Sequence, residues 1–127
     1  MRTRICTFAL DARGFVCGRL DEGAFMELED AREALLATWK TAGERRLPVL
    51  VDMSRIKGES RAARLHFVSA EAVTRYSAVA LLVASPVSRV IGTFFLRLLE
   101  HKAPTRLFSD EATAIDWLLG AAVGATK

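Results

Sequence analysis

Two short and almost uninterrupted apolar runs constrain the fold of this chain more than any other feature. They are LPVLVDM, residues 47–53, and SAVALLVA, residues 77–84, and Asp52 is the one charged residue in either run. A strand that is apolar on both faces is covered on both faces, as in the centre of a parallel sheet. We therefore predict that the two runs are neighbouring strands that point the same way.

The N-terminal half alternates between strand-like and helix-like patterns. RICTFAL and GFVCGRL flank DARG, whose Gly14 suits a positive φ, and together they predict a hairpin. Helical spacing, with acids at the front and Gly43 behind, predicts a helix over residues 25–42. After the first apolar run, Ser60 and Ser69 are placed as N-caps of two short helices.

The C-terminal half continues the alternation. Ser85 is an N-cap candidate and Pro86 suits the first position of a helix. TRLF is a short strand, and the last helix is expected to start at Ser109 and to stop at Gly120. We predict a single α/β domain over residues 1–127, with an N-terminal antiparallel hairpin, a largely parallel centre and four to five helices.

The composition suits a globular domain, and we expect no cofactor. Of the 127 residues, 51% are apolar and 26% are charged, and no stretch resembles a signal peptide or a membrane span. Only Cys6 and Cys17 are present, so we expect a cytoplasmic protein with two free cysteines on one face of the hairpin. His66 and His101 have no second ligand at helical spacing, so no metal site is expected.

The positive charge of the chain is concentrated in its middle. Residues 54–106 carry a net charge of +6, against −1 before them and −2 after them, for a total of +3. A basic block attracts phosphates, acidic lipids or acidic proteins, although it is also typical of a solvated face. Trp39 and Trp117 lack the spacing of a stacking platform, which disfavours nucleic-acid binding. The sequence also lacks the motifs of nucleophilic, metal-dependent and phosphate-loop enzymes, so we expect no catalysis.

Three segments together resemble a known group of bacterial domains. RLPVLVDMSRIK, SAVALLVASPVSRVIGTFFL and PTRLFSDEATAIDWL are similar to the STAS-like or SEC14-like domains with the SpoIIAA-like fold. The resemblance implies a non-enzymatic regulatory or protein-interaction module. In STAS domains of the anti-sigma-factor-antagonist type, a serine at a helix start is phosphorylated, and Ser60 occupies that place here. The residues after Ser60 are Arg61, Ala62 and Ala63, where the STAS pattern has Ser-Gly-Leu.

Polar side chains follow both apolar strands. Because parallel strands end at one edge of a sheet, the loops after the two runs should meet there, with two helix N-termini. An anion or ligand rim is therefore expected, although each serine is equally placed to cap its own helix. The rim residues are Ser54, Ser60, Arg61, Ser85, Ser88 and Arg89.

The helix after Ser85 carries more apolar side chains than one buried face requires. We expect one apolar side of this helix to face the sheet, with the residues Val87, Val90, Ile91, Phe94 and Leu98. This leaves Gly92, Phe95, Leu96 and Leu99 as a second surface, unless neighbouring helices cover it.

Two functions are then open. The first is a protein-interaction module that forms a homodimer through this second surface or through the rim. The second is a carrier or sensor of an anionic amphiphile, such as a fatty acid or phospholipid, with its head at Ser85, Ser88 and Arg89.

Overall fold

The computed structural model describes the backbone of residues 1–125 and side chains up to residue 120, and it shows one central sheet flanked by helices. The strands are β1 (Cys6–Leu10), β2 (Val16–Leu20), β3 (Phe25–Met26), β4 (Leu47–Asp52), β5 (Gly58–Glu59), β6 (Tyr76–Leu82) and β7 (Thr105–Phe108). The helices are α1 (Leu28–Thr41), α2 (Arg61–Phe67), α3 (Pro86–Leu99) and α4 (Glu111–Ala125), with a 3₁₀ turn at Ala72–Arg75. No helix in the described part of the chain has the length and apolar character needed to cross a membrane.

The main sheet confirms the predicted topology. Its strand order is β1-β2-β4-β6-β7, with β1 antiparallel to β2 and every other pair parallel. The two apolar runs form β4 and β6, which lie side by side with Val49 next to Val79 and Val51 next to Leu81. A second, two-stranded sheet pairs β3 with β5 in parallel, and the sequence pattern did not predict it.

The two faces of the main sheet are covered differently. One face carries α1, α2 and α3, and its core joins Leu35 and Phe95 to Val49 and Val79. The other face carries α4, where Leu118 packs with Leu50. Alternate side chains of β4 and β6 thus pack into two separate apolar clusters, one on each face of the sheet, which explains why both strands are apolar throughout.

Helix α3 faces the sheet with a different side from the one predicted. The side chains of Ser88, Ile91, Phe95 and Leu99 point inward with Gly92, and all five residues are buried. Gly92 explains this orientation, because a Cβ atom there would lie 2.7 Å from Leu107 Cδ2 and 2.8 Å from Val83 Cγ1. The small residues allow a close approach to the chain's own sheet, so the prediction that Val87, Val90, Phe94 and Leu98 face the sheet is wrong.

Most of the predicted helix ends are confirmed. The side chains of Ser60, Ser69 and Ser85 each accept a backbone N–H of the turn that follows. At the start of α4, Asp110 accepts the Thr113 N–H at 2.9 Å, so Asp110 and not Ser109 is the cap. The predicted stop at Gly120 is wrong, because α4 continues to residue 125.

The hairpin register corrects the prediction for the two cysteines. Leu10 lies opposite Val16, so Cys17 pairs with Ala9 and Cys6 with Leu20. A shift of one residue moves a side chain to the other face of a sheet. Cys6 consequently packs in the core under α1, whereas Cys17 packs against the cluster under α4, and both are free thiols.

Candidate functional site

The most unusual surface of the molecule is an apolar stripe along α3. Val87, Val90, Phe94 and Leu98 are exposed by 46%, 59%, 47% and 39% of their areas. They recur at i, i+3, i+7 and i+11, which places them on one side of the helix over a length of about 16 Å. Scattered exposed apolar residues are ordinary, but a continuous row is typical of a contact surface. We call these four residues the α3 stripe.

Arg64 of α2 links the α3 stripe to the interior. Its guanidinium lies over the Phe94 ring, 4.6 Å from the ring centroid, and its Nε donates to Glu59 Oε1 at 2.8 Å. The Glu59 side chain is 2% exposed, against 28% for Arg64. Burial raises the pKa of the Glu59 carboxyl, and the hydrogen bond from Arg64 opposes that rise. Pairing with β3 holds Glu59 in this position, since Glu59 lies next to Met26 in the small sheet.

A cavity of about 100 Å³ lies between the main sheet and the three helices on its face. Val49, Val79 and Leu81 contribute from the sheet, Leu35 from α1, and Phe95 from α3. The lining is almost entirely apolar, and Glu59 is the charged residue in it. The cavity therefore lies next to the Glu59–Arg64 pair.

The predicted rim is only partly assembled. Because β4 and β6 are parallel neighbours, the loops after them meet at one edge of the sheet, and the Met53 N–H donates to Leu82 O there. Ser88, however, is fully buried: its Oγ accepts the Ala84 N–H at 2.9 Å and donates to Ser85 O at 2.9 Å. Ser88 is therefore no part of a ligand rim, because both of its hydrogen bonds close the start of α3.

The remaining rim side chains behave differently from one another. Ser54 donates its hydroxyl to Asp52 Oδ1 at 2.6 Å, and Asp52 also accepts from Arg19, which reaches Glu111 of α4 at 2.6 Å. These bonds give Asp52 a structural role in fixing the loop. Arg61 and Arg89 are exposed, and neither forms an ion pair among residues 1–125. An anion site at these two arginines stays a prediction.

Ser60 is half-buried at the start of α2, and its Oγ accepts the Ala63 N–H at 3.1 Å. This is the geometry of a helix cap, and phosphorylation of Ser60 stays a prediction.

The prediction that Gly92, Phe95, Leu96 and Leu99 form a second exposed surface is wrong. Gly92, Phe95 and Leu99 are buried by the chain itself, and Leu96 is half-buried. Phe95 instead meets Phe67 of α2 edge-to-face, with 5.7 Å between ring centroids. The sequence pattern identified α3 as the helix with an exposed apolar surface, but it predicted the wrong side of α3 to be exposed. It did not predict the burial of Glu59 or the pairing of Glu59 with Arg64.

Comparisons with known proteins agree with this fold. The family model DUF7793, described as a domain of unknown function, matches residues 8–121. No curated protein matches the sequence. Among solved structures, the chain is similar to an uncharacterized protein of the DUF3478 family with a SpoIIAA-like fold from Shewanella loihica PV-4. The match has a TM-score of 0.63 and 14% identity, and covers 93% of this chain and 98% of that one. The SpoIIAA-like fold implied by the sequence resemblance is therefore confirmed.

Proposed function

We propose that this chain, which belongs to the DUF7793 family, is a non-enzymatic STAS-like module that acts through protein contact and forms a homodimer through the α3 stripe. The observation that supports the proposal is the exposure of four apolar side chains on one side of α3. Removing such a row from water is the main favourable contribution to most associations between proteins.

The spacing of the stripe favours a second copy of the same chain as its partner. Two-fold symmetric interfaces bring one patch against itself. If two α3 helices pack antiparallel about the middle of the stripe, Val87 of one copy lies opposite Leu98 of the other, and Val90 opposite Phe94. Each large side chain then meets a smaller one. A stable interface buries about 800 Å² on each partner, so Arg64 and other neighbours of the stripe would also contribute.

Sedimentation of the purified protein tests the homodimer. Phe94→Glu introduces a charge in the middle of the stripe, so we expect the wild type to sediment as a dimer and the variant as a monomer. Leu36→Glu on α1 is the matched control, because Leu36 is 51% exposed and lies outside the stripe. This control should stay dimeric. A wild type that is monomeric at the highest attainable concentration would contradict the homodimer.

A second candidate function is the binding of a small apolar molecule in the central cavity. The apolar lining between the sheet and α1, α2 and α3 supports it. An amphiphile head at Ser85, Ser88 and Arg89 is not part of this proposal, since Ser88 is buried. Xenon is a suitable neutral probe, because it enters dry apolar cavities. We expect xenon to shift the methyl resonances of Val79 and Leu81, and unchanged resonances would count against this function.

A further inference from the structure

The central cavity has one polar feature that its apolar lining does not explain. Thr38 and Tyr76 also line the cavity, but their hydroxyls already donate to the backbone carbonyls of Ala34 and Phe67, at 2.7 Å and 3.0 Å. Glu59 differs from both. Its carboxylate accepts the hydrogen bond from Arg64, and no other hydrogen bond reaches it among residues 1–125.

An ionised carboxylate has room for about four hydrogen bonds, so most of the accepting capacity of Glu59 is unused. The Glu59 side chain is 2% exposed, so a donor placed against it is worth more than the same donor in water. A molecule in the cavity that donates one N–H or O–H to Glu59 would fill this capacity. The rest of the molecule would contact Val49, Leu81 and Phe95.

The charges of the pair decide what kind of donor fits. Arg64 already balances Glu59, so a cation would bring an uncompensated charge into the interior. A fatty-acid carboxylate would meet the Glu59 carboxylate and be repelled. A neutral donor avoids both penalties.

The volume limits the size of the molecule. An apolar cavity of about 150 Å³ holds benzene, which has six non-hydrogen atoms, so a cavity of about 100 Å³ suits about four or five. If the cavity binds an apolar molecule, as proposed above, we infer that Glu59 makes the cavity selective for a small, neutral, mainly apolar molecule that carries one N–H or O–H donor.

Pyrrole and furan provide a matched pair of probes. Both are neutral five-membered rings of the same size, but only pyrrole has an N–H. Titration followed by protein NMR gives both dissociation constants and locates the ring through the methyls of Val79 and Leu81. We expect pyrrole to bind the wild type about tenfold more tightly than furan, because a hydrogen bond to a charged group is among the stronger ones.

Two variants separate the polar selection from the cavity itself. Glu59→Met keeps a side chain of similar size without the acceptor, and it should abolish the preference for pyrrole while furan still binds. Ala34→Leu fills space beside Leu35, and it should weaken both probes. An intact methyl spectrum in each variant shows that the fold is retained.

Two results would overturn the inference in different ways. If pyrrole and furan bind the wild type equally, the cavity binds ligands but Glu59 does not select among them. If neither probe binds, the cavity is no ligand site and the inference fails with it. A wild type that is monomeric should bind both probes as described, because all residues of the cavity lining belong to one chain, so a failure of the homodimer does not affect this test.

Discussion

Asp30 is a buried carboxylate whose ionised form is stabilised at the start of α1. Its Oδ1 accepts from Arg4 Nε at 2.7 Å, and its Oδ2 accepts the Glu27 backbone N–H at 2.9 Å. The hydrogen bond from Arg4 lowers the pKa of Asp30, burial opposes this change, and the Glu27 amide adds to it. Asp30 therefore stabilises the fold above its unfolded pKa, and this contribution is lost as the pH falls through the lower folded value.

We predict that Asp30→Asn lowers the free energy of unfolding by about 1 kcal/mol at neutral pH, near the low end for a charged hydrogen bond because Arg4 is largely exposed. The difference from the wild type should shrink as the pH falls below about 3.8, the ordinary value for Asp. Urea unfolding at a series of pH values measures it. Asp116→Asn is the control, because Asp116 is exposed. A difference that stays constant with pH would contradict the assigned role.

Single residues were predictable from sequence where their role is local. Ser60, Ser69 and Ser85 cap the turns that follow them, and each role depends on only three or four neighbouring residues. The burial of Glu59 has a different origin. It depends on the pairing of β5 with β3, two strands of two residues each that lie far apart in the chain. Such short strands carry no periodicity, so the sequence contains no signal for them.

At the scale of elements, Gly92 fixes how closely α3 approaches the sheet. In an exposed helix, Gly→Ala stabilises by up to about 1 kcal/mol. At position 92 the added methyl group would overlap Leu107 and Val83, so we predict that Gly92→Ala destabilises by about 1–3 kcal/mol. Thermal unfolding measures the effect.

Gly120 provides the matched comparison for this prediction. It lies within α4, and a Cβ atom there meets nothing within 4 Å among the side chains that the structure describes, which end at residue 120. Gly120→Ala should therefore stabilise the protein by about 0.5–1 kcal/mol. A Gly92→Ala variant that is stabilised as Gly120→Ala is would show that α3 tolerates a shift away from Val83 and Leu107.

The orientation of α3 shows where a pattern of apolar residues is ambiguous. This helix has two apolar rows at helical spacing, one containing Phe94 and the other Phe95, and either satisfies the amphipathic rule. The row with Ser88 and Gly92 is the buried one, because small residues let the helix backbone approach the sheet. The hairpin shows a similar ambiguity, since the turn length sets the register and hence the faces of Cys6 and Cys17.

At the scale of the whole molecule, the sequence predicted the architecture well. The alternation of strands and helices gave the parallel centre, because a parallel connection needs a crossover element and strands covered on both faces are apolar throughout. The antiparallel β1–β2 pair and the parallel β4–β6 pair are both present. Which side of a helix stays exposed depends on packing between distant elements. That is why the residues of the α3 stripe were predicted to face the sheet although they are exposed.

The proposed homodimer would make the stability of the whole molecule depend on protein concentration. Association stabilises the folded state by mass action, so the melting temperature of a dimer rises with protein concentration. We expect this rise for the wild type and for Leu36→Glu, and a constant melting temperature for Phe94→Glu. Calorimetry over a wide range of concentrations measures it. A constant melting temperature in the wild type would argue against coupling between folding and association.

The position of Arg64 has a consequence for how the two proposed sites influence each other. One guanidinium bonds the carboxylate beside the cavity and covers an aromatic ring of the α3 stripe. A guest that donates to Glu59 shares this carboxylate with Arg64, and a partner docked on the α3 stripe contacts the same guanidinium, so each can change the position of Arg64 for the other. Thermodynamic linkage makes such an effect reciprocal: whatever factor the guest applies to dimer affinity, the dimer applies to guest affinity.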